Sequence, residues 1–274
     1  MTAVFRSIEQ ELDSPYSLQK KQIDFYQENG YIKLRHVLTP DLLKYFQVEI
    51  TKKVRELNTQ HLPMGQRSTY AKAFLQVMNL WTESRLVRRF VFSKRLAKIA
   101  SELMDSRGVR IYHDQALYKE SGGGITPWHA DQYYWPVSSD KTVTVWIPLQ
   151  ATPLEMGPLA FCEKSHGLNY GRDLEISDES ELKLQEALRE LCVNETSFEM
   201  GEVSFHSGWT FHRAGPNTTP RAREVMTIIY MDQDIRVIEP KNKHQMQDLT
   251  EHMPGISVGQ IMDSPLNPVL YTRP

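Results

Sequence analysis

Few residues in this chain are of a type and spacing suited to chemistry. In the run Thr126-Pro127-Trp128-His129-Ala130-Asp131-Gln132-Tyr133, an imidazole and a carboxylate stand two positions apart. On a β-strand that spacing projects both side chains from one face, so the pair can grip one metal ion from a single rigid element. A lone histidine–x–aspartate is a weak signal, because chance makes it common. Far along the chain, Trp209 to Glu224 (WTFHRAGPNTTPRARE) carries His212, a turn signal at Gly215-Pro216-Asn217, and Arg223 opening a β-rich run. A barrel that brings these strands together lets His212 supply a second nitrogen ligand. Two imidazoles and one carboxylate on one face of a metal leave three positions open, the arrangement used for non-haem Fe(II) and oxygen activation. Arg223 adds a planar cationic fork that matches a carboxylate bidentately and could hold a dicarboxylate beside the metal.

Most of the nine histidines read as solvated or hydrogen-bonded side chains. His113 and His166 fit buried or turn-stabilising roles, and His206, six before His212, is a candidate support for the site. Should the strand bearing His129 continue, Tyr133 and Trp135 fall on the same side as His129 and Asp131, as an aromatic substrate wall or as core, until Pro136 ends it. Met78, Met226 and Met231 read as core filler.

The elements that must position these groups divide the chain in two. The first third reads as helical: Gln19 to Asn29 stopped by Gly30, a short strand Tyr31 to Leu34, a helix capped by Thr39-Pro40-Asp41 running to about Asn58, and Lys94 to Met104 behind Ser93. Gly65 to Leu80 shows no clear period. From Val109 the pattern turns to strands: Val109–His113, Thr142–Leu149, Leu159–Cys162, Ser197–Met200, Glu202–His206 and Arg223–Asp232, with a helical insertion over Glu179–Leu191. Helices followed by many short strands with glycine and proline turns argue for a β-barrel or jelly roll backed by helices.

Composition sets the outer limits. A chain of 274 residues is long enough to bury a large core without disulfide staples. Its 32 Lys+Arg against 34 Asp+Glu remove the simplest argument for a nucleic-acid or acidic-membrane partner. Cys162 and Cys192 form no CxxC pair and read as buried thiols in a reducing cytosol. Met1 to Ser17 holds acids and no apolar run of signal length, and no window approaches a bilayer span. The expectation is a soluble, cytoplasmic protein acting on a small molecule.

Taken jointly, the segments from roughly Tyr112 to Asp232 resemble the phytanoyl-CoA dioxygenase family of Fe(II)- and 2-oxoglutarate-dependent oxygenases. The resemblance rests on Trp128-His129-Ala130-Asp131, Val145-Trp146-Ile147-Pro148-Leu149, Met156-Gly157-Pro158-Leu159, Ser165-His166, His212, Gly215-Pro216-Asn217 and Arg223, eleven residues past His212. It implies a mainly β fold with flanking helices (α+β): a double-stranded β-helix (jelly roll, cupin-like) packed against N-terminal helices. The whole of 1–274 is then one domain, with helical support in 1–107, the β-helix core in 108–235 and a C-terminal tail in 236–274. By the resemblance, His129, Asp131 and His212 match the metal ligands, Arg223 the partner of the distal carboxylate of 2-oxoglutarate, and Trp146 an aromatic lining the co-substrate pocket. Gln76 and Gln115 are polar positions placed near that pocket. Many members carry serine two residues after the distal histidine; here Ala214 stands there, and Thr144, on the face of Trp146, is placed to supply the hydroxyl. Halogenating relatives lack the carboxylate, so Asp131 favours hydroxylation or a related oxidation.

The implied cofactors are Fe(II), with 2-oxoglutarate and O2 as co-substrates. The implied reaction is oxidation of an unactivated C–H bond of a small organic molecule, with decarboxylation of 2-oxoglutarate to succinate. Two rivals remain: a cupin-like metal barrel acting as isomerase or hydrolase without 2-oxoglutarate, and a binding protein without turnover. No Lys/Arg cluster suited to CoA phosphates is apparent, which favours a free small molecule over an acyl-CoA. Residues 65–80 and 132–141 are candidate lids.

Overall fold

The structure, a computed structural model, describes residues 8–274; the first seven positions of the helical 1–107 segment lie outside the described residues. Two antiparallel sheets face each other. The larger has seven strands in the order β1 (Tyr31–Leu34), β8 (Val203–Ser207), β5 (Thr142–Pro148), β10 (Val225–Asp232), β3 (Gly108–Tyr118) and β11 (Val269–Thr272), with β2 (Leu75–Met78) pairing the far half of β3. The smaller has four, ordered β4 (Thr126–His129), β9 (His212–Ala214), β6 (Leu159–Cys162) and β7 (Val193–Glu195). This is the jelly roll of the double-stranded β-helix.

Strand alternation decides what each face of the large sheet meets. On β5, Val143, Val145 and Ile147 point outward into the main apolar core, while Thr142, Thr144 and Trp146 point inward. The outward residues of β10 (Met226, Ile228, Tyr230) and β8 (Val203, Phe205) join the same core. Helix α1 (Lys20–Asn29) ends at Gly30, whose φ of +79° is the left-handed region; a Cβ there would also lie 2.4 Å from His166 Nδ1. Helix α2 (Pro40–Leu57) starts as its sequence suggests: Thr39 accepts from the Leu42 amide and Pro40 occupies the first turn. It buries Leu42, Phe46, Ile50 and Val54, a stripe at four-residue spacing, against the sheet.

The segment 65–80 without clear period contains a short helix α3 (Thr69–Ala73) and β2, followed by α4 (Leu80–Glu83) and α5 (Arg85–Val91). Helix α6 (Lys94–Leu103), capped by Ser93, completes the outer helical layer. Helix α7 (Asp178–Leu188) covers the small sheet, where Leu184 and Leu188 meet Trp128, Cys162 and Phe211. The tail 236–274 supplies α8 (Lys243–His252) and β11.

Several expectations need correcting. Ser197–Met200 is no strand; Phe198 makes only an isolated bridge to Thr152. The strand bearing His129 stops there, and Asp131–Tyr134 winds into a 3-10 turn, so Tyr133 and Trp135 do not share its face by alternation. Cys162 is buried, but Cys192 is exposed; both are free thiols. No helix among the described residues is long and apolar enough to cross a membrane.

The turn at Gly215-Pro216-Asn217 ties the loop after β3 to the start of β10. Fully buried, Asn217 donates from Nδ2 to the carbonyls of Lys119 (3.0 Å), Glu120 (3.1 Å) and Arg221 (2.7 Å), and its Oδ1 accepts from the Thr219 amide at 3.0 Å. Asn217→Ala strands these buried groups and should cost about 2–4 kcal/mol, read as a lowered thermal midpoint. An unchanged midpoint would show that the backbone alone holds the turn.

Candidate active site

The two sheets meet at three imidazoles and one carboxylate. His129, last residue of β4, stands directly across from His212, first residue of β9, and their rings lie 4.1 Å apart. Each ring's Nδ1 faces a backbone carbonyl two residues back: Pro127 at 2.8 Å and Thr210 at 3.0 Å. A carbonyl only accepts, so each Nδ1 carries a proton, and Nε2 is the ring atom left to ligate. Both Nε2 atoms turn toward Asp131 Oδ1, at 3.6 Å from His129 and 3.7 Å from His212. Asp131 opens the 3-10 turn, but extended Ala130 before it preserves the two-residue spacing that aims both side chains together. The ligand atoms of His129, Asp131 and His212 lie within 4.8 Å of one another, close enough to hold one metal ion.

The other carboxylate oxygen is occupied differently. Thr144 donates to Oδ2 at 3.1 Å and His206 reaches it through Nε2 at 3.3 Å. His206 therefore has the opposite tautomer to the other two rings and acts as a donor. Burial by itself would raise the Asp131 carboxyl; His212, His129 and His206 outweigh it and hold the group well below the usual carboxylate range. His212 is pushed down by burial and by the two neighbouring histidines.

Arg223 stands just ahead of β10, its backbone paired both ways with Lys119. It is buried, its guanidinium sits 5.4 Å from the Trp146 ring centre, and Nη1 donates to the Gly157 carbonyl. Gly157 has φ +69°, and a Cβ there would fall 2.3 Å from the Gly215 carbonyl oxygen, so glycine is required where this loop meets the turn. Arg223 Nε has no hydrogen-bond partner, and burial lowers the group to about 9. Lys119 beside it is also buried and lowered, to about 6, by burial and by Arg223. The Lys119 amine is spent on the Gly124 carbonyl and the Thr126 hydroxyl, whereas the buried Arg223 guanidinium, with no acidic side chain against it, is left suited to an anion.

Asp131, Arg223 and Trp146 face one cavity of about 490 Å³. Gln76, Gln115, Thr144 and Trp135 line it as well, and Gln76 Nε2 donates to Gln115 Oε1 at 2.6 Å. Tyr133 is not among the lining residues: the 3-10 turn directs Tyr134 there instead, and the Tyr133 ring packs on Tyr134 and His244. Thr144, expected beside the keto acid, spends its hydroxyl on Asp131. Sequence reasoning missed Tyr70, Phe74, His113, Asp248 and His252 in the wall. The last two sit on α8, a polar helix without apolar period.

A jelly roll carrying a His–Asp–His cluster and a buried arginine on one cavity defines a class of metal-dependent barrel, and comparison with known proteins narrows it. Residues 26–225 match the family model described as phytanoyl-CoA dioxygenase, and the chain belongs to that family. The chain is 21% identical over 249 residues to ectoine dioxygenase of Streptomyces anulatus, covering 83% of this chain and 82% of that one. Among solved structures, the non-haem alpha-ketoglutarate-dependent carbocyclase SnoK from nogalamycin biosynthesis superposes with TM-score 0.78 at 23% identity, over 93% of this chain and 99% of that one. The epimerase SnoN in complex with Fe3+, alpha-ketoglutarate and nogalamycin RO gives 0.77 at 21%, over 92% and 98%. EctD from S. alaskensis with 2-oxoglutarate and 5-hydroxyectoine gives 0.68 at 17%, over 93% and 90%. These structures share the fold.

The electrostatics of Asp131 can be tested without any ligand. In His206→Ala the carboxyl loses a hydrogen-bond donor and should titrate at higher pH, followed by carbon NMR of the aspartate carboxyls in metal-free protein. An unshifted Asp131 would show that His206 does not support it.

Proposed function

We propose that this protein is a non-haem Fe(II)/2-oxoglutarate-dependent oxygenase that oxidises an unactivated C–H bond of a small organic molecule, with 2-oxoglutarate and O2 as co-substrates. One observation carries the reading: a buried guanidinium without an acidic partner faces the same cavity as two imidazoles and a carboxylate whose free atoms converge. Bound there, iron would supply oxygen activation coupled to decarboxylation of the keto acid to succinate.

This chain's own residues do the positioning. His129, Asp131 and His212 would hold the metal, and the Pro127 and Thr210 carbonyls keep a proton on each Nδ1, leaving Nε2 to ligate. Thr144 and His206 grip Oδ2 of Asp131, which would leave Oδ1 free to bind a metal. Arg223 takes the distal carboxylate of 2-oxoglutarate, with Trp146 beneath its guanidinium; the Gln76–Gln115 pair lines the same space. Asp131 fills the place a halide would need, so hydroxylation is the default oxidation. The structural neighbours include proteins named as a carbocyclase and an epimerase, so the oxidation here is read from this chain's own site. Tyr70, Phe74, Met78 and Trp135 give the cavity an aromatic and apolar wall suited to a free organic substrate.

Anaerobic addition of Fe(II) and 2-oxoglutarate should produce a weak visible charge-transfer band, and succinate should form under oxygen when a substrate panel is supplied. Asp131→Ala should lose both signals. Arg223→Ala and Arg223→Lys should each weaken 2-oxoglutarate binding, the alanine variant by about 100-fold for two lost charge-assisted hydrogen bonds. Unchanged 2-oxoglutarate affinity in both would favour the cupin-like rival.

A further inference from the structure

A second set of two imidazoles and one carboxylate lines the same cavity, on the wall formed by β3 and α8. We propose that His113, Asp248 and His252 form a second divalent-cation site, suited to Zn2+, separate from the one at Asp131. One donor atom from each of the three lies within 4.8 Å of the others. Asp248 and His252 are four apart on α8 and so share one helix face, a spacing from which a helix grips a metal ion.

The third member reaches this face through an irregularity in β3. Ile229 pairs with His113 and Tyr230 with Ile111, leaving Tyr112 as an extra residue, a β-bulge. Below the bulge Ile111 points to the outer core; above it Ala116 does. The change of parity turns both Tyr112 and His113 inward. Tyr112 then donates from its hydroxyl to Asp248 Oδ2 at 2.6 Å and orients that carboxylate, while the His113 and His252 rings lie 4.6 Å apart. The Asn79 side-chain amide meets His252 Nδ1 at 3.2 Å. A half-turn of that amide offers its oxygen, which would hold the proton on Nδ1 and leave Nε2 free to ligate.

The cluster is not satisfied by the protein alone. Both rings are nearly fully buried, yet His113 Nδ1 and His252 Nε2 have no hydrogen-bond partner. Two nitrogens and one oxygen with a cavity-facing position left open are donors that zinc accepts. The site is distinct from the first. His113, Ile229 and Thr144 stand in one row across three adjacent strands, which places the His113 and Thr144 backbones about 10 Å apart. A cation here would give a substrate oxygen an anchor away from Asp131.

Equilibrium dialysis of the untagged full chain against Zn2+, with metal counted by mass spectrometry, tests the proposal. Wild type should hold two zinc ions per chain. His252→Ala and Asp248→Asn should each hold one, Asp131→Ala one, and Asp131→Ala/His252→Ala none. Tyr112→Phe should keep both ions but bind one at least about 10-fold more weakly, because the carboxylate loses its orienting hydroxyl. Asp248→Asn keeps side-chain size, so it reads the site even if His252→Ala disturbs α8. A wild type with one zinc that is lost in Asp131→Ala and kept in both His252→Ala and Asp248→Asn would overturn the second site. So would two ions that survive both of those variants. One ion lost in His252→Ala and Asp248→Asn but kept in Asp131→Ala would support this site and sink the metal centre proposed at Asp131.

Discussion

The Asp131 carboxylate, its side chain 20% exposed, sits where two β-sheets meet, and a charge largely withdrawn from water is tolerated only where partners surround it. Its oxygens face His129 and His212 on one side, and Thr144 and His206 on the other. Those partners come from β4 and β9 of the small sheet and β5 and β8 of the large one. Displacing either sheet would strip the carboxylate of half its contacts. The site and the closure of the barrel are in this sense one constraint.

The second organising feature is the two-residue parity of the strands. It sends valine, isoleucine and phenylalanine outward to the helical layer and leaves threonine, tryptophan and histidine facing the cavity. Because the outward face carries the apolar core, the inward face can hold polar groups that would otherwise destabilise the fold. The bulge at Tyr112 is where parity is broken, and it presents two inward side chains in succession. Arg223 is positioned by other means: a glycine-requiring loop at Gly157 and an asparagine-stapled turn at Asn217 bracket the guanidinium.

Much of this was legible in the sequence, and the reasons are local. Thr142 to Pro148 alternates cleanly because one face is core and the other cavity, and Thr39-Pro40-Asp41 carries its helix start in three residues. His129, Asp131, His212 and Arg223 stood out because a strand pair and a turn signal flanked them. The misses follow from tertiary context. Tyr133 and Tyr134 exchange roles because the chain leaves strand geometry at Ala130 and winds with three residues per turn. Helix α8, with the sequence KHQMQDLTEH, has little apolar stripe to betray it, yet it forms one wall of the cavity. The bulge that turns His113 inward has no signature in residue type. The pairing of Thr144 with Asp131 depends on the packing of two sheets, which no local window contains.

The most direct test of the central claim is anomalous diffraction at the iron edge from crystals grown anaerobically with Fe(II) and 2-oxoglutarate. A peak about 2.0–2.3 Å from His129 Nε2, Asp131 Oδ1 and His212 Nε2, with keto-acid density reaching Arg223, is the result this account predicts. No iron at these three atoms, or keto-acid density away from Arg223, would contradict it.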